Sequence, residues 1–316
     1  ALIGGSLFIG DYAGNTPFVN LYAEAAHLFD SALSVTAPTG SMFGATLHRR
    51  DMNALPMTYA SAQGPPRPGF AIAGGVFQNG FFVWKNPLWY AQGDPAPTDE
   101  LIFAQQMNQY ESGALSFYSE FQNENLQVLL GGISASRHVN GQFIGDFSVP
   151  WVTEITQIRV RDGVYLDETV IGQTPLPTSN VHTVLAKRVP RLPNGQILLD
   201  EMPPAEVLVA RIPAGLRAAE PAGAPVTFAS GQVWEVYATV GLPGDINGDG
   251  VVNGADLTFI LSAWGTDATR PDVTWDGVIG TADLSYVLNR LGSVAPAAAR
   301  SASAVEPAAG SGVGSR

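Results

Sequence analysis

The chain has 316 residues, a formal net charge of −12 and only 14% charged residues. Its 28 acidic residues outnumber its 16 basic ones, which argues against nucleic acid as a partner because phosphates are bound by Lys and Arg. The chain has no cysteine, which excludes disulfides, thiol catalysis and cysteine-bound metals. No apolar run reaches the roughly 18 residues that a membrane span requires.

Residues 1–240 predict a mainly β domain. Short apolar and β-branched runs alternate there with Gly, Pro, Asn and Asp, a pattern typical of strands joined by turns. The segment starts without Met and without the charged region of a signal peptide, so we expect a processed or truncated N-terminus. The predicted strands include Ser6–Ile9, Phe70–Ala73, Phe81–Trp84, Leu126–Leu130, Thr156–Val160, Gln196–Leu199, Val207–Ala210 and Val233–Ala238.

Three Gly-Gly doublets follow apolar runs in this domain, at Gly4-Gly5, Gly74-Gly75 and Gly131-Gly132. Glycine allows neighbouring backbones to approach closely. The third doublet lies in LQVLLGGIS and is followed by VPWVTEITQIRVRDG, which resembles a blade of a Kelch-like β-propeller. The region is also similar to uncharacterised secreted bacterial proteins with Kelch-like repeats. This resemblance implies four or five blades of a propeller that is truncated before Ala1, and a β-sandwich is the alternative.

Two polar clusters interrupt the β pattern. They predict either a groove that binds sugars or structural ion pairs and turns. No signature of a nucleotide-binding loop, zinc protease or serine hydrolase occurs, and the sequence assigns no catalytic residue, because nothing in it pairs the candidate carboxylates that a glycosidase needs. The clusters are His48, Arg49, Arg50, Asp51 and Asn53, and Gln105, Gln106, Asn108, Gln109, Tyr110 and Glu111; the candidate carboxylates are Asp51, Glu111, Glu120, Asp146 and Glu154.

Residues 241–293 contain an internal repeat with an offset of 27 residues. The segment DINGDGVVNGADLTFILSAW at 245–264 aligns with DVTWDGVIGTADLSYVLNRL at 272–291. After each loop, apolar residues recur at i, i+3, i+4 and i+7, which predicts one face of a helix. The two helices can pack on each other through these faces, which are formed by Leu257, Ile260, Leu261 and Trp264 and by Leu284, Val287, Leu288 and Leu291.

The two loops carry oxygen donors at the spacing of a twelve-residue calcium loop. Gly250 and Gly277 stand at position 6, where the chain turns sharply. We expect two calcium ions, the second bound more weakly, because Thr274 replaces an amide or carboxylate and Gly280 offers no side chain. The predicted ligands are Asp245, Asn247, Asp249, the carbonyl of Val251, Asn253 and Asp256 in the first loop, and Asp272, Thr274, Asp276, the carbonyl of Val278 and Asp283 in the second.

No helix pattern precedes either loop, in contrast to an EF-hand. Residues 245–292 resemble the type I dockerin family, in which calcium loop and helix units are duplicated near the C-terminus of secreted bacterial proteins. The resemblance implies docking to another protein, commonly a cohesin module. In that family, loop positions 10 and 11 contact the cohesin. Here they are Gly254, Ala255, Thr281 and Ala282, of which only Thr281 carries a hydroxyl.

The expected organisation is a β domain at 1–240, a dockerin-like calcium module at 241–293 and a disordered, low-complexity tail at 294–316. The resemblance predicts a secreted or cell-surface protein, and the composition predicts no membrane span and no nucleic acid partner. Its β domain would bind a polysaccharide, a cell-surface ligand or a partner. The alternative function is a carbohydrate-active hydrolase that cleaves O-glycosyl bonds and is targeted by its dockerin.

Overall fold

The computed structural model describes residues 47–59, 65–78, 82–95, 97–213, 215–221, 226–229 and 231–295, with the backbone of four short strands between residues 2 and 27. The chain divides into two compact units, Ala1–Asp200 with Ala210–Glu235, and Glu201–Val209 with Val236–Arg316. Gly4-Gly5 and residues 296–316 of the predicted tail lie outside the described residues.

Strands dominate the described chain, which confirms the mainly β prediction. The two helices, α1 (Gly254–Ser262) and α2 (Thr281–Leu288), follow the predicted loops. The strands are β1 (Leu2–Ile3), β2 (Ser6–Ile9), β3 (Val19–Tyr22), β4 (Ala26–His27), β5 (Asn53–Tyr59), β6 (Arg67–Ala73), β7 (Val76–Gln78), β8 (Phe82–Val83), β9 (Leu88–Ala91), β10 (Thr98–Asp99), β11 (Gly113–Ser119), β12 (Glu124–Leu130), β13 (Ser136–Val139), β14 (Gln142–Gly145), β15 (Glu154–Arg161), β16 (Val164–Gln173), β17 (Thr178–Ser179), β18 (Val184–Leu185), β19 (Ile197–Leu198), β20 (Glu206–Pro213), β21 (Leu216–Ala218), β22 (Thr227–Ala229) and β23 (Val233–Thr239).

Two sheets form the centre of the first unit. The four-stranded sheet has the order β10-β9-β6-β5, and the five-stranded sheet has the order β16-β15-β12-β11-β19. Neighbouring strands are antiparallel, except that β11 and β19 are parallel. Side chains alternate between buried and more exposed along β15, so Ile158 and Val160 lie in the core, as the two-residue period of a strand requires.

Side chains from both sheets build one hydrophobic core. Leu55 and Met57 from β5 pack in the same cluster as Leu129 from β12 and Ile158 from β15, each at most 1% exposed. Removal of this apolar surface from water is the main force that stabilises the unit.

A buried polar network crosses the same region. The amide of Asn125 accepts the N–H of Thr58 at 3.1 Å and donates to its carbonyl at 2.9 Å. Gln196, which is fully buried, donates to Asn125 at 3.0 Å and to Ser116 at 3.0 Å. Because these groups are hydrogen-bonded, their burial is tolerated, and the network fixes the register of the strands that carry them.

The two sheets repeat one local arrangement where their second strand ends. Gly74 after β6 and Gly131 after β12 share a φ of 66°, which L side chains rarely adopt. A Cβ on Gly74 would lie 2.1 Å from the carbonyl oxygen of Asn108, and one on Gly131 would lie 2.3 Å from Oγ1 of Thr178. The close neighbour of Gly74 is a backbone atom, as predicted, whereas that of Gly131 is a side-chain oxygen.

The remaining strands form smaller sheets, with the orders β17-β21-β22 and β18-β20-β23 and the pairs β1-β4, β2-β3, β7-β8 and β13-β14. Across the described residues, no sheet closes into a barrel or propeller, so neither the Kelch-like propeller nor the sandwich is confirmed. Within the same residues, no helix is both long and apolar enough to cross a membrane.

Replacing Gly74 by alanine is expected to destabilise the first unit by about 3 kcal/mol, because the added Cβ strains the backbone and meets a carbonyl oxygen. Gly141→Ala is the matched control: φ is 81° there, but no atom lies within 4 Å of the place that its Cβ would take, so about 1 kcal/mol of strain remains. Urea unfolding followed by tryptophan fluorescence measures both, and equal losses would contradict the steric argument.

Glu168 is expected to make the first unit less stable as the pH rises. Burial raises its pKa from 4.5 to about 7, although the N–H groups of Gln106 and Met107 oppose the shift. The folded state therefore binds this proton more tightly than the unfolded state, and stability falls between pH 4.5 and about 7 by on the order of 3 kcal/mol. Thermal unfolding of Glu168→Gln should show a flatter pH dependence, whereas the exposed control Glu120→Gln should follow the unmodified chain.

Candidate functional site

The carboxylate at position 1 of each repeat loop is buried and organises the backbone around it. Asp245 is 5% exposed and accepts the N–H groups of Gly248 and Gly250, both at 2.8 Å. Asp272 is fully buried and accepts the N–H of Gly277 at 2.9 Å. The loop chain therefore wraps around its own first acidic side chain.

The carboxylate at position 12 ties the first loop to helix α1. Asp256 is fully buried, and its two oxygens accept the N–H of Asn247 at 3.1 Å and that of Asn253 at 2.8 Å. Asn253 in turn accepts the N–H of Ala255 at 2.7 Å. This reciprocal arrangement is a capping box, which stabilises the start of a helix.

The second loop repeats this arrangement with one difference. Asp283 is fully buried and accepts the N–H groups of Thr274 at 3.0 Å and Gly280 at 2.9 Å. The hydroxyl of Thr274 also donates to Asp283, at 2.9 Å. Gly280 has no side chain to cap helix α2, so Asp283 alone links the loop to the helix.

Three carboxylates converge in the second loop. Asp272, Asp276 and Asp283 each offer an oxygen atom, and these atoms lie within 4.8 Å of one another. Like charges at this distance repel, and the burial of Asp272 and Asp283 increases the cost. The side-chain donors are all oxygen, which suits a hard cation such as calcium, so these residues would hold the predicted ion.

The first loop brings its predicted ligands together differently. Asn247 donates from Nδ2 to Oδ2 of Asp249 at 2.9 Å, and hydrogen bonds from Asn247 first and the N–H of Val251 next lower the pKa of Asp249. Burial raises the pKa of Asp245, with neighbouring carboxylates adding to the effect. Nδ2 of Asn253 lies 3.2 Å from the carbonyl oxygen of Val251. The predicted ranking of the two sites stays a prediction.

One loop feature was missed in the sequence. Trp275 has a φ of 59°, in the left-handed region that Gly248 occupies at the equivalent position with a φ of 78°. The alignment at an offset of 27 residues places Trp275 opposite Gly248. A glycine at the equivalent position could have indicated this left-handed conformation. A bulky residue in this conformation is strained, so the loop geometry overrides the local preference.

Each loop pairs with the segment that follows the other helix. Val252 in the first loop accepts the N–H of Gly292 and donates to the carbonyl of Ser293, both at 2.9 Å. Val252 is fully buried. Each repeat therefore supplies backbone hydrogen bonds to the loop of the other. The equivalent bonds in the other half are Gly265 N to Ile279 O and Ile279 N to Thr266 O, both at 2.9 Å.

The residues that contact the first loop extend past the predicted module boundary at residue 293. Val294 forms a bridge with Val251, and Ala295 donates its N–H to the carbonyl of Gly250 at 2.9 Å. Ala295 is 9% exposed. The first two residues of the segment assigned to the tail thus brace the first loop.

The buried apolar residues of this unit are related by the 27-residue repeat, but the predicted helix faces are only partly buried. Ile260 of α1 and Val287 of α2 are fully buried, as expected. Leu261 and Leu288 are instead 61% and 46% exposed, so each face is buried only in part. The buried pairs related by 27 residues are Ile246 and Val273, Val252 and Ile279, and Ile260 and Val287.

The predicted polar clusters of the first unit separate into two groups. Gln109 is fully buried and donates to the carbonyls of Gly131 and Glu154, both at 2.8 Å. Arg49 is 2% exposed and lies 4.4 Å from the ring centre of Trp84. Both side chains therefore make their contacts inside the fold. Asp51, Asn53 and Glu111 line a common cleft instead, and Glu120, Asp146 and Glu154 are not among its lining residues.

Removing residues 292–316 is expected to destabilise the second unit by about 2–4 kcal/mol, because the three backbone hydrogen bonds made by Gly292, Ser293 and Ala295 are lost. Deleting only residues 296–316 keeps these bonds and should leave stability unchanged. Far-UV circular dichroism during urea unfolding in saturating calcium measures the difference. Equal stabilities of the two truncated chains would show that residues 292–295 do not brace the loop.

Comparison with known proteins identifies the C-terminal region. The family model of the dockerin type I domain matches residues 243–292, a segment that contains both loops and both helices. No curated protein matches the chain. The dockerin resemblance is therefore confirmed for this segment, whereas the Kelch-like resemblance of the first unit is not.

Proposed function

We propose that the chain is a secreted or cell-surface protein that docks to another protein through its calcium-dependent, dockerin-like module, while its β unit binds a ligand. The match to the dockerin type I domain over residues 243–292 is the observation that supports the docking function. Dockerin domains bind calcium and dock to cohesins, and the converging carboxylates of the second loop fit such a cation.

The ions would serve folding rather than catalysis. Four carboxylates at loop positions 1 and 12 are at most 5% exposed, and the module has a small core. Calcium would offset their repulsion and link its own binding to the folding of the two helices. Millimolar extracellular calcium would suffice for this, because extracellular modules bind the ion with dissociation constants of about 10⁻⁴–10⁻³ M.

The helices offer a surface for docking. Loop positions 10 and 11, Gly254, Ala255, Thr281 and Ala282, are all exposed. Exposed apolar side chains occur on and after both helices, and such exposure marks protein interaction surfaces when the residues are contiguous. These side chains are Phe259, Leu261, Trp264, Leu288 and Leu291.

Binding of the full chain to immobilised type I cohesin domains tests the docking function. We expect binding in about 1 mM calcium and none in chelator. The double variant Asp256→Ala, Asp283→Ala should lose both binding and calcium-dependent helical circular dichroism, whereas the exposed control Asp267→Ala should retain both. Equal binding with and without calcium, or calcium-dependent folding without cohesin binding, would contradict the proposal.

A second pair of variants separates the docking surface from folding. Leu261→Asp with Leu288→Asp changes exposed apolar residues at equivalent positions, and should weaken cohesin binding at least tenfold while the calcium-induced helix content persists. Ser262→Asp with Asn289→Asp introduces the same charges one residue further along. Equal weakening by both pairs would show that general charge, and not the apolar surface, controls docking.

A further inference from the structure

A cleft of about 400 Å³ lies in the first unit, remote in sequence from the loops of the second. This volume is in the range of small-ligand sites. The cleft draws residues from both polar clusters of the sequence and from a third segment at 180–183. Its polar lining includes Asp51, Asn53, Glu111, Ser112, Asn180 and His182.

Three of the lining residues hold equivalent positions in the backbone. Asp51, Glu111 and Asn180 have φ values of 59°, 52° and 52°. The N–H of Glu111 donates to the carbonyl of Asp51, and the N–H of Asn180 donates to the carbonyl of Glu111, both at 2.9 Å. Three separate chain segments are thus hydrogen-bonded in series along the cleft. The wall is consequently fixed before any ligand arrives.

The charge of the lining is negative. Asp51 is paired with Arg50 at 3.4 Å, whereas Glu111 accepts a hydrogen bond from the neutral hydroxyl of Ser179. Within the described chain, no salt bridge joins Glu111 to a cation. Burial raises the pKa of nearby Tyr110 to about 12, and the charges of Glu111 and Asp51 add to this shift. The cleft therefore favours a cation over an anion.

We propose that this cleft binds a small, protonated amine that also carries hydroxyl groups, such as an amino sugar. The inference rests on the ligand-binding part of the proposed function and is independent of docking. Glu111 and Asp51 would accept hydrogen bonds from the ammonium group, while Asn180 and Thr183 would bond the hydroxyls. No Phe, Tyr or Trp side chain lines the cleft within the described chain, so a neutral sugar would lack the ring stacking that commonly holds it.

Isothermal titration of the full chain with three matched sugars tests the proposal. Glucosamine, in a mildly acidic buffer that keeps its amine protonated, should bind at least tenfold more tightly than N-acetylglucosamine or glucose, which have the same ring without the charge. Its affinity should fall as the salt concentration rises. Equal binding of the three sugars, or no binding of glucosamine, would overturn the proposal. Retained calcium-dependent cohesin binding would leave the docking function standing.

Two variants test the named residues. Glu111→Gln keeps an acceptor for Ser179 but removes the charge, and should weaken glucosamine binding about tenfold, whereas Glu120→Gln should have no effect. Unchanged affinity of Glu111→Gln for glucosamine would count against the site. In the unmodified chain, the proton resonances of the His182 ring should shift with glucosamine and not with glucose.

Discussion

Buried side-chain oxygens that accept backbone N–H groups are the constraint on which both units depend. In the second unit, Asp256 and Asp283 each bind two N–H groups and thereby join the start of a loop to the start of a helix. In the first unit, Glu168 binds the backbone at Gln106 and Met107, and the amide of Asn125 pairs with Thr58. Backbone donors that leave water must find such partners, so these few side chains determine where the irregular segments run.

The same constraint both stabilises the two loops of the second unit and leaves a repulsion in them that a cation would offset. The carboxylates satisfy the backbone, yet they bring negative charges together in a nearly dry environment. The reciprocal pairing of Val252 and Ile279 with the segments after the opposite helices makes each half dependent on the other. A cation bound in one loop would therefore stabilise the complete module.

In the first unit, polar side chains also bond the backbone, but some of them line a cleft instead. Several of its polar cluster residues, including Gln109 and Arg49, are buried and donate to backbone carbonyls. A few, Asp51 and Glu111 above all, remain at the surface of a cleft whose wall is fixed by hydrogen bonds between separate segments. A wall that is already rigid lowers the entropy cost of binding a ligand. The carboxylate of Glu111, which has no salt bridge within the described chain, would attract a cation to it.

The sequence alone determined the duplicated dockerin-like segment and its two helices, because each depends on residue spacing within one short segment and on local backbone preferences. It also predicted a mainly β first unit from apolar runs and turns. Only the tertiary structure decided which apolar helix residues are buried, with Ile260 inside and Leu261 exposed, and that Val294 and Ala295 belong to the folded module. It also decided which polar residues share a cleft. These outcomes depend on contacts between segments far apart in the chain, and periodicity within a segment carries no information about such contacts.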